Sequence, residues 1–189
     1  MFEEPKAPKR TGTPDAGEPA PRTALDHLFF GLSSAADHSL LWLALGSLRA
    51  ARVGDPAAAV RLAAALGAES ALTNGLIKSV FRRIRPAPHP ELRPENDAAR
   101  LREGPLPYGL HKPITSSFPS GHATAAFTAA TLLGDGTRLG VAYFGLAALV
   151  AASRVYVGLH HPSDVVVGAA LGLAFGAVAR RVVPLTPGR

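Results

Sequence analysis

Nowhere in this chain do apolar residues alternate with a period of two for long enough to make a strand. They gather instead into Ala-, Leu- and Val-rich segments at helical spacing. That pattern excludes a sheet-based core and predicts an all-α protein. A short amphipathic helix is expected over Thr23–Ser34, with Leu25, Leu28, Phe29 and Leu32 on one face. A more apolar helix follows over Leu40–Arg52. Gly54-Asp55-Pro56 then reads as a stop, a cap and a proline at the first helical position, opening a long helix that runs to about Phe81. Three further apolar segments occupy Ser120–Leu133, Leu139–Tyr156 and Pro162–Val183.

Between the two groups of helices the composition changes. Arg82–Phe118 carries Pro86, Pro88, Pro90, Pro94, Pro105, Pro107 and Pro113 among many charges. A loop of that length inside a small domain is uncommon and usually functional. Residues 1–22, also rich in proline and mixed charge, have too little apolar surface to offset ordering entropy, so a disordered tail is expected there. No apolar stretch follows the early cations, so the tail does not read as a signal peptide. One domain is expected over 23–184, with a short C-terminal tail at 185–189.

The 189 residues include 20 Lys and Arg against 14 Asp and Glu, a net charge of +6, and no cysteine. Thiol catalysis, disulfides and Cys-ligated metals are thereby excluded. The positive excess points to anionic partners. Nucleic acid fits poorly, because aromatics make up only 6% and no basic run is interleaved with stacking residues. Hydropathy alone leaves the membrane question open. Leu139–Ser153 and Val165–Ala179 are uncharged, yet each reaches only roughly 22 Å against a hydrocarbon core of about 30 Å. Snorkelling of Arg138, Arg180 and Arg181 would extend them. Gly168, Gly172 and Gly176 form two overlapping GxxxG patterns, which suit close helix packing in lipid and equally a buried helix of a soluble bundle.

Three polar clusters interrupt this apolar pattern. Lys78 is followed after six residues by Arg85-Pro86, at a helix end. Pro119-Ser120-Gly121-His122 opens the next helix. Ser153-Arg154 is followed after five residues by His160 and after three more by Asp164. In that order and spacing they resemble the three-part signature of the type 2 phosphatidic acid phosphatase (PAP2) superfamily, which includes membrane lipid phosphatases, bacterial acid phosphatases and vanadium haloperoxidases. The resemblance spans about Ala24 to Val182. It implies a multi-pass membrane bundle of five to six helices with a PAP2/haloperoxidase-like fold. The implied activity is a metal-independent phosphatase acting on a terminal phosphate of a phosphatidate- or polyprenyl-type lipid, with the bilayer and the lipid phosphate as partners and no cofactor.

The residue types suit that chemistry. Phosphoryl transfer needs positioning and stabilisation of charge spread over three oxygens. Lys78, Arg85 and Arg154 supply three cations, the arginines with bidentate geometry. Ser120 and Gly121 bring the unpaired N–H groups of a helix start, and Gly121 lets backbone approach a ligand. The His and carboxylate positions lack zinc-type spacing. The resemblance assigns His160 as nucleophile, Asp164 as the group that orients it, and His122 as general acid and then base. Residue chemistry alone does not say which histidine attacks. His161 has no role in the pattern, Arg83 is a weak candidate for substrate contact, and Trp42 reads as core or interfacial. A soluble-substrate acid phosphatase and an inactive lipid-binding protein are the competing readings. With five spans, ten cations outside the motifs fall on the site's face (Lys6, Lys9, Arg10, Arg22, Arg82, Arg83, Arg93, Arg100, Arg102 and Lys112) and seven on the other (Arg49, Arg52, Arg61, Arg138, Arg180, Arg181 and Arg189). That leans toward a cytoplasmic active site. A sixth span over Thr23–Ser34 would reverse the lean.

Overall fold

A computed structural model of the chain describes residues 23–81, 83–86 and 116–185. The expected tail at 1–22 and the interior of the Pro-rich stretch lie outside them. All the described regular structure is helical: α1 (Ala24–Ala35), a 3₁₀ turn (Asp37–Ser39), α2 (Leu40–Val53), α3 (Pro56–Ser70), α4 (Gly121–Gly134), α5 (Gly140–Tyr156) and α6 (Pro162–Val182). The helix after Pro56 is not α-helical throughout. It passes into a π-helix over Ala71–Ile77 before one last α turn, Lys78–Val80. Nothing in its Ala/Leu pattern announces that change.

Local chemistry sets the boundaries. Thr23 and Asp26 form a capping box on α1, with Asp26 Oδ2 accepting from the Thr23 amide at 2.7 Å. Gly54 takes the left-handed conformation that ends α2 (φ 76°), and the Asp55 side chain then caps α3 ahead of Pro56. Between α1 and α2 the axis bends by 63°. His38 and Ser39 take left-handed φ of 52° and 62° there, a conformation that non-glycine residues adopt rarely and at a cost.

Helix α4 is the centre of the bundle, with nine of its 14 residues buried, mostly Ala and Thr. Small side chains on α4 meet the glycine stripe of α6. A Cβ at Gly168 would lie 2.6 Å from the Ser120 carbonyl oxygen, and one at Gly172 only 2.3 Å from that of Thr124. The GxxxG pattern is therefore an interface in which backbone packs on backbone. On the opposite side of α4, Leu132 and Leu133 join Trp42, Leu62, Leu66 and Val150 in the main core. Leu185, just past the expected domain end, is buried against that core. Gly172→Leu is expected to cost about 3 kcal/mol or more by forcing α4 and α6 apart. Thermal unfolding in detergent, compared with an outward-facing control such as Leu173→Ala, measures it.

The outer surface is apolar as well. Val60, Val141, Val166, Val178 and Val182 are each more than half exposed on the helices. Among the described residues α6 alone, with 21 residues, is long and apolar enough to cross a membrane unaided, while the bent α1–α2 pair passes together and α5 is apolar but shorter.

Candidate active site

The three sequence clusters converge at one end of the bundle. The last turn before Phe81, the start of α4, the end of α5 and the turn leading into α6 surround a cavity of about 290 Å³. Lys78, Arg85, Gly121, His122, Arg154 and His160 all line it, and Asp37 from the 3₁₀ turn joins them. The two ends of the Pro-rich stretch are tied together beside this cavity. Ser117 N donates to Arg83 O at 3.1 Å, and Arg83 N donates to Ser116 Oγ at 3.1 Å.

His160 lies in the turn between α5 and α6 and is 3% exposed. Its Nε2 is 3.3 Å from Arg85 Nη1 and so faces the cations, while its Nδ1 is 3.7 Å from Asp164 Oδ2. Burial, reinforced by Arg154, Arg85 and Lys78, pushes the imidazole pKa well below its usual value, so His160 is neutral at ordinary pH and Nε2 can offer a lone pair. Arg85 is held by the Leu159 carbonyl at 2.7 Å and the Ser116 carbonyl at 3.3 Å. Burial draws its pKa down, with Asp164 acting in the opposite sense, and the guanidinium stays charged. Arg154 is buried at the end of α5. Its Nη1 donates to Ser33 Oγ and lies 3.9 Å from Asp37 Oδ1.

Asp164 and Ser120 stand behind the cavity. Asp164 is fully buried. Oδ2 caps α6 by accepting from His161 N at 2.9 Å, and Oδ1 accepts from Arg83 Nη1 at 2.7 Å. Arg83 is thus directed at the carboxylate that faces His160, with Ser163 Oγ as a second acceptor at 2.8 Å, rather than at the cavity. The Ser120 hydroxyl accepts from Ala123 N as the α4 cap, and Ser120 N donates to the Asp164 carbonyl at 3.0 Å. That bond locks the two helix starts together. Gly121 does line the cavity, and a Cβ there would lie 3.0 Å from Asn74 Oδ1 and 3.6 Å from Lys78 Nζ.

One contact was not expected from the motifs. His122 Nε2 is 2.7 Å from Asp37 Oδ1, across 85 residues of sequence. A carboxylate only accepts, so Nε2 carries its hydrogen and Nδ1 is left for another partner. The signal available in the sequence is an acidic residue, Asp37, between two apolar segments.

Three cations, two histidines and a helix start surround one cavity in an all-α bundle. The family model of the PAP2 superfamily matches residues 58–186. The chain belongs to that superfamily and is a phosphatase of it. It is 35% identical over 152 residues, 80% of this chain and 77% of the relative, to decaprenylphosphoryl-5-phosphoribose phosphatase of Mycobacterium tuberculosis. A shorter match, 45% identical over 38% of this chain and 28% of the relative, is to lipid A 1-phosphatase of Rhizobium johnstonii. The fold matches a transmembrane PAP2 type phosphatidylglycerolphosphate phosphatase from Bacillus subtilis with a TM-score of 0.61 at 22% identity, covering 86% of this chain and 78% of that one.

Proposed function

We propose that this protein hydrolyses the terminal phosphate of a polyprenyl-linked sugar phosphate at a membrane surface, through a phosphohistidine formed on His160. The observation that carries the reading is the neutral Nε2 of His160 beside Arg85, in a cavity that Lys78 and Arg154 also line. Nε2 attacks phosphorus in line, and the bond from phosphorus to the headgroup oxygen breaks. For this step His122 acts as the imidazolium, with Nε2–H kept on Asp37, and that oxygen takes the proton on Nδ1. Water then attacks the phosphohistidine, His122 takes the proton back, and inorganic phosphate leaves with His160 restored. Asp164 holds His160 in orientation, Asp37 holds His122, and the three cations stabilise the equatorial oxygens. The likeness to a phosphatase acting on a decaprenyl-linked ribose phosphate supports the substrate class.

Five passes fit the geometry. Asp26 and Ser33, towards the two ends of α1, both reach the last turn of α5, through the Tyr156 hydroxyl at 2.6 Å and through Arg154. Helix α1 therefore lies across the site end, leaving α2, α3 with its π continuation, α4, α5 and α6 to cross. The charge asymmetry then favours a cytoplasmic site. Cysteine labelling of the Pro-rich stretch only from outside would reverse that orientation.

The decisive test is phosphate release from a panel of lipid phosphates by protein purified in detergent. Release is expected from the polyprenyl-linked sugar phosphate, with full turnover in EDTA and competitive inhibition by vanadate, which imitates five-coordinate phosphorus. Loss of activity on chelation, or no release from any lipid phosphate, overturns the reading.

A further inference from the structure

The phosphate cradle is not the whole lining of the cavity. Glu69, Ser70 and Asn74, on α3 and its π-helical continuation, form a further part of its wall, with Asn74 next to Gly121. Glu69 is 2% exposed, and its Oε1 makes no hydrogen bond among the described residues. Removing a carboxylate oxygen from water without giving it a donor is costly. Placing one beside a site for a phosphate dianion adds repulsion. Lys78 is a cation whose field reaches it, yet no ion pair joins the two.

The backbone shows that this placement is built. Residues nine apart on an unbroken α-helix stand about 180° apart, so Glu69 and Lys78 would face opposite ways. The π-helix over Ala71–Ile77 turns more slowly per residue, and both side chains come to line the same cavity. Asn74 lies between them, its Nδ2 donating to Ser70 Oγ at 3.0 Å and its Oδ1 directed toward Gly121. Oε1 is a buried acceptor without a donor, so a group that completes this wall would bring one. A substrate phosphate held by Lys78, Arg85 and Arg154 would leave its headgroup within the same cavity as Glu69.

We propose that Glu69, supported by Ser70 and Asn74, is a headgroup subsite that accepts hydrogen bonds from free hydroxyls of the headgroup that carries the scissile phosphate. The enzyme thereby selects sugar or polyol phosphates over lipid phosphates without such hydroxyls. The inference rests on the lipid-phosphatase reading above. It extends that reading, because the motif cations bind any phosphate alike. A pair of neighbouring hydroxyls suits the two oxygens of one carboxylate, as ribose hydroxyls do in dinucleotide sites.

The test compares three substrates in detergent: a polyprenyl-phosphoryl ribose 5-phosphate, its 2,3-dideoxy analogue, and phosphatidate. Wild type is expected to prefer the hydroxylated headgroup about 100-fold or more in kcat/KM over the dideoxy analogue, because loss of the hydroxyls leaves a buried carboxylate unpaired. Glu69→Gln is expected to erode that preference about 10-fold or more, through KM for the hydroxylated substrate, with the dideoxy analogue and phosphatidate changed less than about threefold. Equal loss on all three substrates would mean that Glu69 only balances Lys78, and would overturn the proposal. So would a wild type that treats the two ribose substrates alike, a result that needs no variant to fold. A wild type inactive on every lipid phosphate defeats instead the lipid-phosphatase reading.

Discussion

Phosphate release by His160→Ala is expected to fall by about 10⁴-fold or more, with the protein still inserted and folded. Removing the nucleophile from a covalent mechanism leaves only the residual catalysis of binding and charge stabilisation. The wild type, quenched during turnover of a substrate labelled in the terminal phosphate, should carry label that is stable to base and lost in acid, as a phosphohistidine is. The variant should carry none. Retention of label in His160→Ala would place the nucleophile elsewhere, and His122 would be the next group to examine.

The same residue sets a pH dependence whose sign follows from its burial. Folding lowers the His160 pKa, so below the ordinary histidine value of about 6.5 the unfolded chain binds a proton that the folded one refuses. Stability from this group is complete above that pH and is lost as pH falls, by up to about 1.4 kcal/mol per unit. Thermal melts of wild type should therefore decline from pH 7 to pH 5 more steeply than those of His160→Ala. His160 stays unprotonated over the same range, so a nucleophile at that position is not the source of an acid limb near pH 6.5 in kcat/KM.

The helices and the cluster of cations could be read from the sequence because each rests on a local rule. Asp55-Pro56 and Pro119-Ser120 are caps whose chemistry acts within one turn, and the glycine repeat of α6 has the spacing of a helix interface. Lys78, Arg85, His122, Arg154 and His160 are marked by the family resemblance that their order and spacing carry. What spacing could not show is how side chains divide between the cavity and its support. Ser120 turns inward as a cap, and Arg83 turns toward Asp164 rather than toward substrate. Asp37 and Glu69 escaped for a different reason. Each is an isolated acid in apolar surroundings, outside any motif, and its partner or its cavity depends on backbone that deviates from regular helix: the left-handed pair His38–Ser39 and the π-helix Ala71–Ile77. A charge at such a position is expensive unless it has a function, and that cost is the trace it leaves in a sequence.

His122→Ala should separate the two chemical steps. A lipid alkoxide is a poor leaving group and needs the proton that His122 Nδ1 supplies, so release from lipid phosphates should drop about 10³-fold. With p-nitrophenyl phosphate the departing phenolate needs no such help. Phosphorylation of His160 should then proceed within about tenfold of wild type, whereas hydrolysis of the phosphohistidine, which lacks its base, stays slow. The expected trace is a burst of p-nitrophenol close to one equivalent per enzyme, followed by slow turnover, with labelled protein accumulating. Asp37→Asn should show the same pattern in weaker form, about tenfold on lipid substrates, because His122 Nε2 loses the carboxylate that fixes its tautomer at 2.7 Å. A loss of equal size on both kinds of leaving group, without a burst, would make His122 a phosphate-binding group and remove Asp37 from the proton path.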